Sequence, residues 1–85
     1  MCLSECSSLL RLRVVADADP AALTYVLGRF QNLNIVPRQV IAEFGATDRL
    51  HIAVDVLGIG DEQLTLIAHK VRESPVVQNA YWHRL

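Results

Sequence analysis

Residues 9–16, LLRLRVVA, alternate along the chain: Leu10, Leu12, Val14 and Ala16 fall on one side, Leu9, Arg11, Arg13 and Val15 on the other. A period of two with one wholly apolar side predicts a half-buried strand. Asp19-Pro20 follows, an acceptor side chain for an N-cap and then a proline at the first helical position, where its missing N–H costs nothing. A helix is expected from there, with Leu23, Val26, Leu27, Phe30 and Leu33 recurring at three- and four-residue steps as one stripe against a sheet. Gly28 inside that helix costs about 1 kcal/mol relative to Ala. Close packing of its backbone against a neighbour is the expected compensation.

Ile35 to Phe44 reads as a second strand, and Pro37 near its start lacks a ladder donor, which places it at a sheet edge. Gly45 to Asp48 is a polar turn. Arg49 to Leu57 then alternates, Leu50, Ile52, Val54 and Val56 opposite Arg49, His51, Ala53 and Asp55, so that strands two and three form a hairpin. Gly58, Gly60 and Asp61 open a second helix whose buried stripe is Leu64, Ile67, Ala68 and Val71. Its charges follow the helix dipole, Glu62 early and Lys70 and Arg72 late. Ser74-Pro75 stops it, and Val76 to His83 is the last strand, with either Trp82 or Tyr81 turned to the core.

The order strand-helix-strand-strand-helix-strand, joined by right-handed crossovers, predicts an α+β fold: a ferredoxin-like βαββαβ sandwich, a four-stranded antiparallel sheet with both helices on one face. Residues 1–8 read as a flexible Ser-rich tail and residues 9–85 as a single domain. Such a fold hosts many unrelated activities, so function must come from a site.

Composition narrows the classes. The chain has 85 residues, 52% hydrophobic and 20% charged, which suits a packed core. Eight Lys and Arg against nine Asp and Glu give a net charge of -1, without the positive field of a nucleic-acid binder. No apolar run approaches the roughly 18–20 residues that span a bilayer. Met1 to Leu10 holds one acid, no base and no apolar core before a small-residue cleavage site, so no secretory signal is expected. Cys2 and Cys6 have three residues between them, neither the zinc nor the redox spacing, and read as reduced thiols of a cytoplasmic protein. His51, His69 and His83 fall on three different elements, so neither a metal nor a cofactor is expected.

In this fold the loop after the first strand meets a helix N-terminus with unpaired N–H groups, and function often sits there. Here it reads Ala16-Asp17-Ala18-Asp19-Pro20-Ala21-Ala22. It has no cysteine pair for a soft metal ion and no arginine for a phosphate, and Asp17 and Asp19 repel anions. The outward sets of the first and third strands carry no aromatic for base stacking. Ser7, Ser8 and Ser74 have no base partner in sequence, so a non-catalytic chain is expected. Asp17 and Asp19 serve as caps and turn formers, or one of them also meets the ammonium of a small ligand. His51 beside Arg49 is either a solvated sheet-face residue or a ligand contact.

The run DPAALTYVLGRFQNLNI, residues 19–35, resembles the first helix of ACT domains, most closely that of the short regulatory (small) subunits of acetolactate synthase. In those a Pro-Gly pair opens a helix that continues through Thr, Val, Gly and Phe to an Asn before the second strand. Pro20, Thr24, Val26, Gly28, Phe30 and Asn34 fall on those positions, and DEQLTLIAHKVRESPVVQNAYWH is similar to the family's second helix and Val-Val strand. The resemblance covers residues 9–83. It implies a regulatory module of branched-chain amino acid biosynthesis that forms a homodimer, docks on a catalytic subunit and takes an amino acid near the first loop. On this chain the implied contacts are Asp17, Ala18 and Asp19 with the N–H groups of Ala21, Ala22 and Leu23. The family has an Asn two residues before the proline and a Gly after it. Ala18 and Ala21 stand there instead, removing an amide donor and narrowing a carboxylate's approach. Three other readings share the fold: an amino-acid sensor of another enzyme system, an interaction module that binds no effector, and a ferredoxin-like enzyme subunit, which would require a cleft with a shifted titratable group.

Overall fold

The computed structural model describes residues 9–45 and 47–85; the 1–8 tail, with Cys2 and Cys6, lies outside the described residues. Six elements follow in the expected order: β1 (Leu9–Asp17), α1 (Pro20–Asn32), β2 (Gln39–Phe44), β3 (Arg49–Leu57), α2 (Asp61–Arg72) and β4 (Val77–Arg84). The strands form one antiparallel sheet in the order β2-β3-β1-β4, the ferredoxin-like arrangement.

The alternation of β1 does what its pattern requires: Leu10, Leu12, Val14 and Ala16 are all buried beneath the helices. They meet the predicted α2 stripe of Leu64, Ile67, Ala68 and Val71, together with Ala22, Val26 and Phe30 of α1. Burying side chains of this size contributes about 1.5–3 kcal/mol each, which makes this layer the source of the fold's stability. The β4 ambiguity is resolved by a bulge. The register of β4 against β1 shifts between Val15 and Ala16, so Val77 faces the helices opposite Ala16 while Ala80 and Trp82 do so opposite Val14 and Leu12. One extra residue switches the parity that a sequence pattern assumes constant. Trp82 is thereby the core-side aromatic, its Nε1–H donating to Thr65 Oγ1 at 2.9 Å, and Tyr81 lies on the opposite face.

Three expectations are corrected. The second strand starts at Gln39 rather than Ile35, because the closure of α1 takes up residues 33–35 and the chain is irregular from there to residue 38. Asn34 takes a left-handed φ of 63°, its N–H donates to the Gln31 carbonyl, and the N–H of Ile35 reaches back to the Phe30 carbonyl at 2.9 Å. This is a Schellman closure with Asn in the position that glycine usually holds. Leu33, placed in the stripe, is the helix C-cap and is exposed, while Ala22 takes a buried place. Gly28 has no neighbour that a Cβ would meet within 4 Å, so close packing does not account for it, and nothing in the structure explains it.

The helix layer leaves β2 bare. Val40, Ala42 and Phe44 share the side of the sheet occupied by the helices, opposite Val54, Ile52 and Leu50, yet all three are exposed. The outer edge of β2 is also unpaired in the sheet. The N–H of Gly45 donates to the Arg49 carbonyl at 2.7 Å. Hydrogen-bonded pairs alternate in an antiparallel ladder, so Glu43, Ile41 and Gln39 aim their N–H groups at β3, and Phe44, Ala42 and Val40 aim theirs away from the sheet.

Candidate functional site

The loop between β1 and α1 is tied down at both ends. Asp17 N–H donates to the Val76 carbonyl at 2.8 Å, and its carboxylate accepts from Gln78 Nε2 at 2.8 Å. Asp19 N–H then turns back onto the Asp17 carbonyl at 2.7 Å. Asp19 caps α1: its Oδ1 accepts from Ala21 N–H at 2.8 Å, and its carbonyl accepts from Ala22 N–H at 2.9 Å. Asp17 thus belongs to the β4 side of the loop and Asp19 to the helix, and Ala22 is fully buried in the core. Of the six residues expected to form a site, Ala18, Asp19 and Leu23 come together with Pro20 around a cleft of about 260 Å³, closed on its other side by Phe44 and Leu50. Phe44, 73% exposed at the end of β2, is the wall that the loop sequence could not reveal. Asp17, Ala21 and Ala22 do not line this cleft. An apolar wall beside a carboxylate suits a small ligand with an apolar side chain and a cationic group.

The face of the sheet away from the helices carries a second arrangement. Its residues stand in rows across the four strands: Gln39, Asp55, Arg11 and His83; then Ile41, Ala53, Arg13 and Tyr81; then Glu43, His51, Val15 and Asn79. In the first row Arg11 binds Asp55 through both ends of its fork, Nε to Oδ1 at 2.6 Å and Nη2 to Oδ2 at 2.9 Å. That pairing accounts for an aspartate only 4% exposed on a nominally outward position. The two hydrogen bonds hold the Asp55 carboxyl below its ordinary value against the opposing effect of burial, and the charges of Arg11, Arg13 and His83 add to the lowering.

A depressed carboxyl contributes stability that is present above its unfolded value, about 3.9, and is lost as pH falls through its folded value. The thermal midpoint of the protein is therefore expected to drop on acidification below about pH 4. In Arg11→Met the buried carboxyl loses its cation, its affinity for a proton rises, and this contribution reverses sign. Melting curves between about pH 5 and 2 test this; superimposable slopes in the two proteins would show that the pair is not what acid breaks.

Among the described residues there is no cluster of three or more His, Cys, Asp or Glu side chains that could hold a metal ion, and no helix long and apolar enough to cross a membrane. No family model matches the chain, and no curated protein matches it in sequence. Its fold is similar to the C-terminal domain of the MgtC protein from Mycobacterium tuberculosis, with a TM-score of 0.78 at 16% identity over 95% of this chain and 90% of that one. It is also similar to the ACT domain from the GTP pyrophosphokinase of Chlorobium tepidum, with a TM-score of 0.74 at 13% identity over 91% and 99%. A homoserine dehydrogenase from Thiobacillus denitrificans matches with a TM-score of 0.74 at 14% identity over 93% of this chain, which spans 17% of the enzyme. With both the strand order and these likenesses in hand, the chain has the ACT-like form of the ferredoxin fold.

Proposed function

We propose that the chain is a non-catalytic regulatory module of the ACT type. It pairs with a second copy along β2, takes an amino acid at the cleft between the first loop and Phe44, and docks on a catalytic subunit. The resemblance of residues 19–35 makes acetolactate synthase the enzyme of choice.

The observation that carries this reading is that the cleft is half built. Its floor is Pro20, Leu23 and Leu50, but its outer wall is an exposed phenylalanine at an unpaired edge, so a second chain laid along β2 would cover the ligand. A ligand at such a seam favours whichever pairing encloses it, and that is how binding energy becomes regulation. Asp19, the acidic residue in the cleft's lining, would meet the ammonium. A carboxylate finds the Ala21 N–H already taken by Asp19 and must displace that cap or be met by the second chain.

The test is a thermal-unfolding panel against individual amino acids, followed through Trp82 fluorescence. A ligand at 100 times its Kd adds about 2.7 kcal/mol, which moves the midpoint by several degrees in a domain of this size. A rise with valine, leucine or isoleucine alone supports a sensor of branched-chain synthesis. A rise with another amino acid moves the module to another enzyme system. The occupied Ala21 N–H also favours a second reading, an interaction module that pairs and docks without an effector; a midpoint unmoved by every amino acid would replace the sensor with it.

A further inference from the structure

The surface of the helix layer carries a groove of about 360 Å³ between α1 and α2 that shares no lining residue with the loop cleft. Ile67 forms its floor, and Leu33 of α1 and Leu66 of α2 stand on its two sides, 48% and 63% exposed. At the other end of the groove Tyr25 crosses from α1 to α2, its hydroxyl donating to the Lys70 carbonyl at 3.0 Å. The Arg29 guanidinium lies over this ring, 5.8 Å from its centroid. Contact through the ring face leaves the guanidinium N–H groups free to donate elsewhere. The ion pairs among the described residues are Arg11 with Asp55 and Arg84 with Asp61, so neither Arg29 nor Lys70 is in one. The rest of the lining, Asn32 and Gln63, is neutral. No acid occurs in α1, and Glu62 and Glu73, at the two ends of α2, do not line the groove.

These features select an occupant. The backbone groups of both helices are bonded within each helix, so the groove offers no strand edge, and a segment lying in it has to satisfy its own backbone. A helix does that, and meets such a groove with one apolar stripe. Gln63 to Lys70 covers about 10 Å at about 1.5 Å per residue, so two turns of the occupant make contact, through apolar side chains at three- and four-residue steps. The rim carries two cations and no anion, which calls for carboxylates beside that stripe. A second copy of this face is disfavoured by the same charges, because a two-fold contact sets a patch on itself and would bring Arg29 and Lys70 onto their own counterparts. An anionic membrane is met by clusters of about four to eight Lys and Arg, more than the groove holds. We propose that the groove between α1 and α2 is the surface by which this module docks, taking an acidic amphipathic helix of its partner. The apolar stripe of that helix covers Leu33, Leu66 and Ile67, and its carboxylates meet Arg29 and Lys70. This assignment rests on the docking part of the function proposed above and needs nothing of the effector.

The experiment is an NMR titration of the full chain with an amidated peptide of about 18 residues, long enough to form a helix, with Leu at alternate three- and four-residue steps and Glu beside them. The controls are the same peptide with Lys for every Glu and with Ser for every Leu. Saturable shifts at the amides of Leu33, Leu66 and Lys70 are expected with the Glu peptide below about 1 mM, and binding at least tenfold weaker with both controls. Leu66→Ser should weaken binding about tenfold and, at an exposed position, leave amide dispersion unchanged. Arg29→Glu with Lys70→Glu should move the preference to the Lys peptide. Equal binding of the Glu and Lys peptides, insensitivity to Leu66→Ser, or no saturable shift at about 5 mM would overturn the assignment. So would an unreversed preference in a folded double variant, or shifts confined to Ala18, Leu23 and Phe44. Cosedimentation with phosphatidylserine vesicles, abolished in the double variant, would give the groove to a membrane and reject the helix. Because the titration uses neither effector nor enzyme, its failure beside a positive amino-acid panel rejects the groove alone, and peptide binding beside a negative panel upholds the groove and removes the sensor.

Discussion

Phe30→Ala is expected to lower the free energy of unfolding by about 3–5 kcal/mol, the cost of deleting a buried aromatic ring and leaving a cavity that the surroundings cannot fill. Phe30 is the bulkiest fully buried side chain of the core, at 1% exposure, and it lies where α1 closes. Its carbonyl receives the N–H of Ile35, which packs on the same core, so the ring anchors both the helix end and the approach to β2. A domain of this length holds about 4–13 kcal/mol in total, and the variant is expected to be substantially unfolded at 37 °C. Leu33→Ala, three residues away and exposed, should change stability by no more than about 0.5 kcal/mol. Urea unfolding of both variants with unchanged slopes measures the contrast. A loss below about 1.5 kcal/mol for Phe30→Ala would mean that the core closes over the gap and that the ring is not its anchor.

Ala42→Pro is expected to convert a pairing chain into a monomer without unfolding it. The Ala42 N–H points away from the sheet, so proline there removes no bond within the chain, and edge strands accept proline on their outward positions. A symmetric β2-to-β2 ladder would lose one bond from each copy and meet the ring at the seam. At about 1 kcal/mol per bond this weakens the dimer by about thirtyfold before any clash is added. Ile41→Pro is the converse, because its N–H points to β3, and it should lower the thermal midpoint. Sedimentation velocity over a range of concentrations distinguishes the two effects. Wild type and Ala42→Pro with the same concentration dependence would remove β2 as the dimer edge, and the half-built cleft would then need another cover.

The strands and helices could be read from the sequence wherever one period governed a whole element. β1 and the α2 stripe are of that kind, and Asp19-Pro20 announced its cap through local chemistry alone. Reading failed where a single residue changes the rule. The bulge in β4 reverses which alternate set is buried, and Asn34 in the left-handed region takes up residues that otherwise look like strand. The loop cleft was half legible: its helix side follows from residues 17–23, but Phe44 reaches it only through the hairpin. The pairing on the open face was out of reach, since Arg11 and Asp55 are 44 residues apart and meet only because β1 and β3 are neighbours. Side chains adjacent in a row across strands carry no common signal along the chain.

The position of β1 has a bearing on how the molecule comes into being. It is the first of the four described strands to be made, yet it lies inside the sheet between β3 and β4, with Arg11 opposite both Asp55 and His83. On the ribosome its first partner arrives only with β3 and its second only with β4, so one edge of this Leu- and Val-rich strand stays open until the last strand of the sheet is made. Contacts of such separation form slowly, and an open apolar edge invites pairing with another nascent chain. Arg11 and Arg13, placed on the outward side of that strand, give it like charges that repel a second copy while it waits. The same two arginines that organise the open face of the finished sheet thus guard it against misassembly during its making.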